Sequence, residues 1–219
     1  MARRPDPTIR GRLLSAARHE FAEHGLVGAL LSNITARAGV SKGAFYLHFR
    51  SKEDVFDEVA EAFFSHFFVI LDRVEEIALS DLEPAHALEL ITEGDVEMMD
   101  YLWNERAFAR VLFEGAHSPR QCHLIERFAE RVQGRVERLL SIDQERGRIL
   151  PDLDVRVLAL FIAGGFDRYA RVLLASREKP DIVSDLRQLH SFIYRGATTP
   201  EFLTALGKAS SEDALRIAP

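Results

Sequence analysis

Residues 34–54 read Ile34-Thr35-Ala36-Arg37-Ala38-Gly39-Val40-Ser41-Lys42-Gly43-Ala44-Phe45-Tyr46-Leu47-His48-Phe49-Arg50-Ser51-Lys52-Glu53-Asp54. The spacing predicts two short helices joined by Ala38-Gly39-Val40-Ser41, then the capped start of another at Ser51-x-x-Asp54. Gly39 can take the positive φ that closes a helix, and Ser41 offers a hydroxyl to cap the next. A turn this short leaves its helices crossing steeply. That is the geometry that seats a second helix in a DNA major groove.

The helix expected over Ser41–Phe49 buries Phe45 and Phe49 and turns Lys42, Gly43, Ala44, Leu47 and His48 outward. Gly43 and Ala44 carry little or no side chain, so the backbone there can approach a base edge or a thymine methyl. Lys42 can reach guanine or a phosphate, and a helix N-terminus itself favours phosphate. Tyr46 and His48 place polar tips on apolar bodies, which suits the rim of a groove. Thr35, Ser32 and Arg37 on the preceding helix are weaker contact candidates. A basic arm at Arg3 and Arg4 is suited to the minor groove, which attracts positive side chains.

The residues Ile34, Ala38 to Gly43, Phe45-Tyr46, His48-Phe49 and Ser51-Lys52-Glu53 closely resemble the DNA-binding signature of the TetR family of bacterial repressors. The resemblance covers about a quarter of the chain, counting the helix before it. It implies phosphate contacts from the Tyr46 hydroxyl, His48 and Lys52. It also implies a helical body whose last helices pair two copies, and which binds a small molecule that moves the DNA-binding heads. The chain departs from the pattern at Leu30, where the family usually has a Thr or Ser that caps the helix and touches a phosphate.

Working outward, the first helix carries Leu13, Ala17 and Phe21 at helical spacing and ends at Gly25; the second runs from about Leu31 to Arg37. After Ser51 a long apolar stripe from Val55 to Ile77 predicts an uninterrupted helix to about Ser80. Further helices are expected near 84–103, 105–116, 119–147, 152–177 and 181–195, with a short one near 199–207. No segment alternates as a strand does. The fold class expected is all-α, with an N-terminal helix-turn-helix domain at 1–53 and a helical ligand-binding and dimerisation domain at 54–219.

Charge is divided in the same way. Residues 1–50 carry eight Lys and Arg against three acids, a net +5, while the remaining residues carry 20 basic and 31 acidic side chains, a net −11. A basic head on an acidic body is the layout of a polyanion-binding module joined to something else. No apolar run reaches the ~18 residues of a membrane span, and the single Cys122 suits a reducing cytoplasm, the location expected.

One head buries too little surface to bind tightly at cellular salt, so the physics asks for a dimer on a palindromic operator in double-stranded DNA. The surface expected to pair lies on helices near 152–177 and 181–195. Leu158, Phe161, Ile162, Phe166, Tyr169 and Val172 make the first of these too apolar for one inner face, and Gly164-Gly165 suits close helix approach. For a small-molecule effector of largely apolar character, the candidate ligand residues are Phe63, Phe67, Met98, Trp103, Phe113, Glu114, His117, Phe128, Phe161 and Tyr169.

No metal or cofactor is expected. Glu114-x-x-His117 and His123-x-x-Glu126 have the spacing of a carboxylate–imidazole pair, but the Ser118-Pro119 break spoils a continuous helical face. Cys122 lacks a resolving partner for redox sensing. Nor is an enzyme expected: there is no phosphate-binding glycine loop, nucleophile elbow or metalloprotease helix. A helical acyl-binding carrier is the competing class, and a carrier has no use for a +5 head with a recognition helix.

Overall fold

In the computed structural model, which describes residues 7–80, 82–114, 119–202 and 204, helix follows helix along the chain. Among these residues the helices are α1 (Pro7–Gly28), α2 (Leu31–Ala38), α3 (Lys42–Tyr46), α4 (Lys52–Leu79) and α5 (Pro84–Asn104), followed by α6 (Arg106–Glu114), α7 (Pro119–Glu145), α8 (Val155–Ala175) and α9 (Ile182–Ala197). The described residues form no strand, only an isolated antiparallel bridge between Ile149 and Thr198. The chain is all-α, as the periodicity predicts. None of the described helices is long and apolar enough to cross a membrane.

Glycines and prolines set most of the breaks. Gly25, Gly39 and Gly147 all have φ between 63 and 68°, the left-handed conformation that ends a helix and that a Cβ resists. Gly25 (φ 66°, ψ 176°) is non-helical and breaks α1 where the sequence suggests; a separate short turn follows it to Gly28. Helix α3 is shorter than expected. Past Tyr46 the backbone tightens: the Leu47 and His48 N–H groups donate to the carbonyls of Ala44 (3.3 Å) and Phe45 (2.9 Å), three residues back. Such i→i+3 bonds commonly close a last turn.

The chain divides into two compact units, Met1–Phe67 with Asn104–Glu126, and Phe68–Trp103 with Arg127–Pro219. In the first, Leu13, Ala17 and Phe21 of α1 share a core with Ile34, Phe45, Phe49, Val55, Phe56 and Phe63. Helix α6 supplies the floor. Phe108 is buried with ring centroids 5.9 Å from Phe56 and 5.8 Å from Phe63, and Phe21 meets Phe56 edge-on at 5.1 Å. Each such phenylalanine contributes about 1.5–3 kcal/mol by burial. Ion pairs Arg10–Glu58 and Arg18–Glu105 tie α1 to α4 and to the start of α6.

In the second unit Ile70, Leu71 and Val74 pack with Met98, Met99, Leu102, Trp103, Leu173, Leu174 and Leu186. Gly94 allows α5 to lie close on α4, since a Cβ there would meet Val74 Cγ2 at 2.7 Å. One buried polar chain crosses this core. The His190 ring lies between Thr92 Oγ1 on Nδ1 and Asp95 Oδ2 on Nε2, each at 2.8 Å, joining α9 to α5. Burial, with the charges of Asp143 and Asp95, pushes the neighbouring Tyr194 hydroxyl well above its ordinary range.

Helices α8 and α9 are capped by Asp154 and Asp181, whose carboxylates accept backbone N–H groups of the first turns. Their outer faces stay apolar. Val157, Leu160, Phe161, Val172, Val183 and Phe192 are exposed in the single chain, Phe161 by 62% and Phe192 by 66%.

Candidate functional site

The segment Gly39–Asp54 is held by side chains bonding to backbone. Gly39 (φ 63°, ψ 41°) donates its N–H to the Ala36 and Thr35 carbonyls, and Val40 donates to Thr35 at 3.0 Å. Ser41 caps α3 by accepting the Ala44 N–H at 3.1 Å. Arg12 of α1 donates to the Gly39 carbonyl at 3.1 Å, fastening the turn from behind. At the far end Ser51 accepts the Asp54 N–H (3.2 Å) and Asp54 accepts the Arg50 N–H (3.2 Å). Ser51 thus caps α4 as the sequence predicts, while the return bond from Asp54 goes to the Arg50 N–H, one residue before the cap.

Between these clamps, the aromatic anchors Phe45 and Phe49 are buried and the opposite face looks out. Ser41, Lys42, Gly43, Tyr46 and Leu47 are exposed, with Ala44 and His48 half-buried beside them. Tyr46 is 59% and Leu47 58% exposed, a large apolar investment for a surface turn. A Cβ at Gly43 would meet nothing nearer than Ser41 Oγ at 3.8 Å. The fold therefore does not require glycine there; the missing side chain leaves room for something outside the protein.

Other predicted contact residues are placed differently. Thr35 is buried, and its hydroxyl donates to the Leu31 (3.0 Å) or Ser32 (3.1 Å) carbonyl within α2. It does not join the exposed face. The Lys52 ammonium donates to the carbonyls of Val27 (3.1 Å) and Ala29 (3.0 Å), satisfying the orphan acceptors at the end of α1. Arg3 and Arg4 lie outside the described residues.

The residue that sequence reasoning missed is Glu20. Leu30, the N-cap of α2, has no side-chain cap. In its place Glu20 Oε1 accepts the Leu30 N–H at 3.1 Å and the Asn33 amide at 2.9 Å, in a site where Glu20 is only 2% exposed. Burial pushes its carboxyl up, but the bonds from Leu30 and Asn33, with the charges of His24 and Arg37, outweigh that and hold it below the ordinary value of 4.5. The available signal was an acid on the inward stripe of α1, between Ala17 and Phe21. Glu20, Glu23 and His24 also bring potential metal-ligand atoms within 4.8 Å of one another. Glu20 is already engaged with α2 and Glu23 pairs with Arg37 at 3.4 Å, so the trio serves the fold.

The ten ligand candidates divide between the units. Phe63 and Phe67 are buried in the first, and Phe113 lies near Phe64 with centroids 6.2 Å apart. In the second, Met98 and Trp103 are buried, and Phe128 meets Phe68 edge-on at 5.6 Å. Phe161 faces outward, and the Tyr169 hydroxyl donates to Asp185 at 2.9 Å. Burial, then this bond and the charges of Asp185 and Asp181, raise the Tyr169 hydroxyl far above its ordinary value. Glu114 ends α6, with its side chain outside the description, and His117 lies outside the described residues.

Comparison with known proteins places the first unit among DNA-binding heads. The family described as bacterial regulatory proteins, tetR family, matches residues 13–59. The HTH-type transcriptional repressor KstR2 of Mycobacterium tuberculosis is 30% identical over 159 residues, covering 70% of this chain and 75% of the relative. In fold, the chain is similar to SmeT, the repressor of a Stenotrophomonas maltophilia multidrug efflux pump, with TM-score 0.71 and 18% identity over 87% of this chain and 91% of that one. It is also similar to FadR from Bacillus subtilis in complex with stearoyl-CoA, with TM-score 0.68 and 22% identity over 85% and 98%.

Proposed function

The chain belongs to the tetR family of bacterial regulatory proteins and is a DNA-binding transcriptional regulator, and we propose that it represses by reading operator DNA through the face Ser41–His48. The observation that carries the reading is Gly43. It is an exposed glycine at the start of a clamped helix, and the fold itself makes no use of its missing side chain. Lys42 supplies a charge to guanine or phosphate, Leu47 an apolar contact to a thymine methyl, and Tyr46 and His48 reach the groove rims. Residues 1–53 are the DNA-binding domain in this reading, and 54–219 the body. A gel shift on the region upstream of the gene tests it. The wild-type protein retards that DNA specifically, and failure to do so refutes the assignment.

The protein acts as a homodimer on a palindromic operator, with the apolar outer faces of α8 and α9 paired as a helix bundle. The support is the row Val157, Leu160, Phe161, Val172, Val183 and Phe192, larger than scattered surface hydrophobics require. A small, largely apolar ligand releases the DNA, held in the second unit near Met98, Trp103 and Phe128. FadR binds stearoyl-CoA in a similar fold, which favours an acyl or comparably apolar effector. Such a ligand acts only by preferring the state that does not fit DNA. A thermal-shift screen of fatty acids, acyl-CoA thioesters and aromatic compounds finds a stabiliser that also weakens operator binding. A Trp103→Ala variant that responded like the wild type would move the site elsewhere.

A further inference from the structure

Inside the second unit, polar groups from α5, α7 and α9 come together on the inner face of α9. His190 has both ring nitrogens engaged, by Thr92 and Asp95 of α5 at 2.8 Å each. Asp143 of α7 is bonded by Arg148 at 3.0 Å, and Arg148 also lies over the Phe202 ring. Each carboxylate therefore has its own partner. The Tyr194 hydroxyl, one helical turn on from His190, does not: among the described residues it meets no hydrogen-bond partner. A tyrosine hydroxyl taken away from water usually finds one.

Tyr194 is also deep and accessible at once. Burial, ahead of the charges of Asp143 and Asp95, raises its hydroxyl above the ordinary range, so it keeps its proton, yet part of the side chain stays accessible. A side chain of that kind borders an internal hollow. Helix α7 points the same way. Val132, Val136, Leu139, Leu140 and Ile142 are only half-buried, and none of the described residues 122–145 is buried. A helix laid on a filled core buries one face, and well-packed cores leave few voids. Thr92, Asp95 and Met98 follow one another at three-residue spacing on α5, so the polar end of the hollow continues into the apolar site around Met98.

We propose that the Tyr194 hydroxyl is the polar anchor of the effector site, donating a hydrogen bond to an uncharged oxygen, a carbonyl or a hydroxyl, on an otherwise apolar ligand. This anchor deepens the effector reading above and rests on it. With Asp95 and Asp143 already paired, a cationic head finds no open carboxylate. A free carboxylate head meets both negative charges, with Arg148 already given to Asp143. An uncharged oxygen gains the bond from Tyr194 with no charge to bury. The anchor also seats the ligand on α9, the helix whose outer face carries the exposed Phe192, so that the pairing surface feels the ligand directly.

Isothermal titration of the intact protein with methyl decanoate, decanol, decanoate and decylamine tests this. The ester and the alcohol bind at least about tenfold more tightly than the acid and the amine, because a charge without a partner is costly to bury. Tyr194→Phe weakens the ester and the alcohol about fivefold to tenfold, the worth of one hydrogen bond, and leaves the acid and the amine as they were. The carbonyl stretch of bound, isotope-labelled ester lies lower in frequency in the wild type than in the variant. Because the hydroxyl has no partner in the fold, the ligand-free melting temperature of the variant is not lowered. A purely structural hydroxyl would lower it and leave the carbonyl stretch unmoved. Equal ester affinity in the two proteins, or tightest binding of decanoate, would overturn the anchor; decanoate that also releases operator DNA would leave the effector reading standing. A wild-type protein that bound none of the four would overturn the anchor, and operator binding indifferent to every compound of the thermal-shift screen would remove the effector reading with it.

Discussion

The turn region and the α8–α9 region solve opposite problems with different residues. Around α2 and α3, polar side chains are spent on the backbone: Glu20 on Leu30, Lys52 on Val27 and Ala29, Arg12 on Gly39, Ser41 on Ala44. The segment becomes stiff and presents a face with little side chain of its own. On α8 and α9 the polar caps sit at the ends, and large apolar groups are left along the outer faces. A surface that must match a groove is fixed before it meets its partner. A surface that pairs with its own copy can be completed by that copy.

The largest effect that would sharpen this contrast is on DNA. Lys42→Ala with Tyr46→Ala removes two exposed groups and lowers operator affinity to the non-specific level, about a thousandfold. Circular dichroism and sedimentation stay unchanged. Unaltered affinity would move the reading face elsewhere.

Next is the pairing surface. Phe161→Glu with Phe192→Glu puts charge on both outer faces and yields monomers in sedimentation. Operator affinity then falls about a hundredfold through loss of two-headed binding. A variant that remained dimeric would break the comparison outright.

A third effect isolates the stitching of the head. Glu20→Ala removes the acceptor of two part-buried bonds, from the Leu30 N–H and the Asn33 amide, each worth about 1 kcal/mol, so unfolding shifts by about 2 kcal/mol in denaturant titration. The carboxyl is held below its ordinary value, so its stabilisation is complete above about pH 4.5 and is lost as pH falls through the lower folded value. Glu20→Gln removes that acid dependence. Equal acid sensitivity in the two proteins would show that other carboxyls dominate.

The smallest effect concerns Gly165. It is exposed and a Cβ there meets nothing within 4 Å in the single chain. Alanine at that position therefore adds about 1 kcal/mol of helix stability to a monomer. If α8 pairs closely through Gly164-Gly165, the same change weakens dimerisation. Thermal melts and dilution series together read both signs.

Much of this architecture was legible because its causes are local. Gly39, Gly147, Pro84, Pro119 and Pro180 mark breaks through φ or a missing N–H, and the Ser51–Asp54 cap sits within four residues. Leu30 was legible as a departure, but its remedy was not. Glu20 is ten residues away on another helix, and a carboxylate on an apolar stripe does not announce which N–H it will meet. Lys52 shows the same limit: its family position suggests a phosphate, and nothing in its sequence neighbourhood says that the fold also brings its ammonium to the carbonyls of Val27 and Ala29. Helix α6 was predicted as a helix, yet nothing in its periodicity says that Phe108 goes beneath Phe56 and Phe63.

That last contact has a consequence for the order of events during synthesis. The bonds that set α2 and α3 join residues 3 to 27 apart in sequence, so they close cheaply and early. Phe108 meets its partners across about fifty positions, and a chain made from its N-terminus reaches it only later. During that interval the nascent head has its turn formed but its aromatic underside bare. Helix α6 therefore acts as a late keystone.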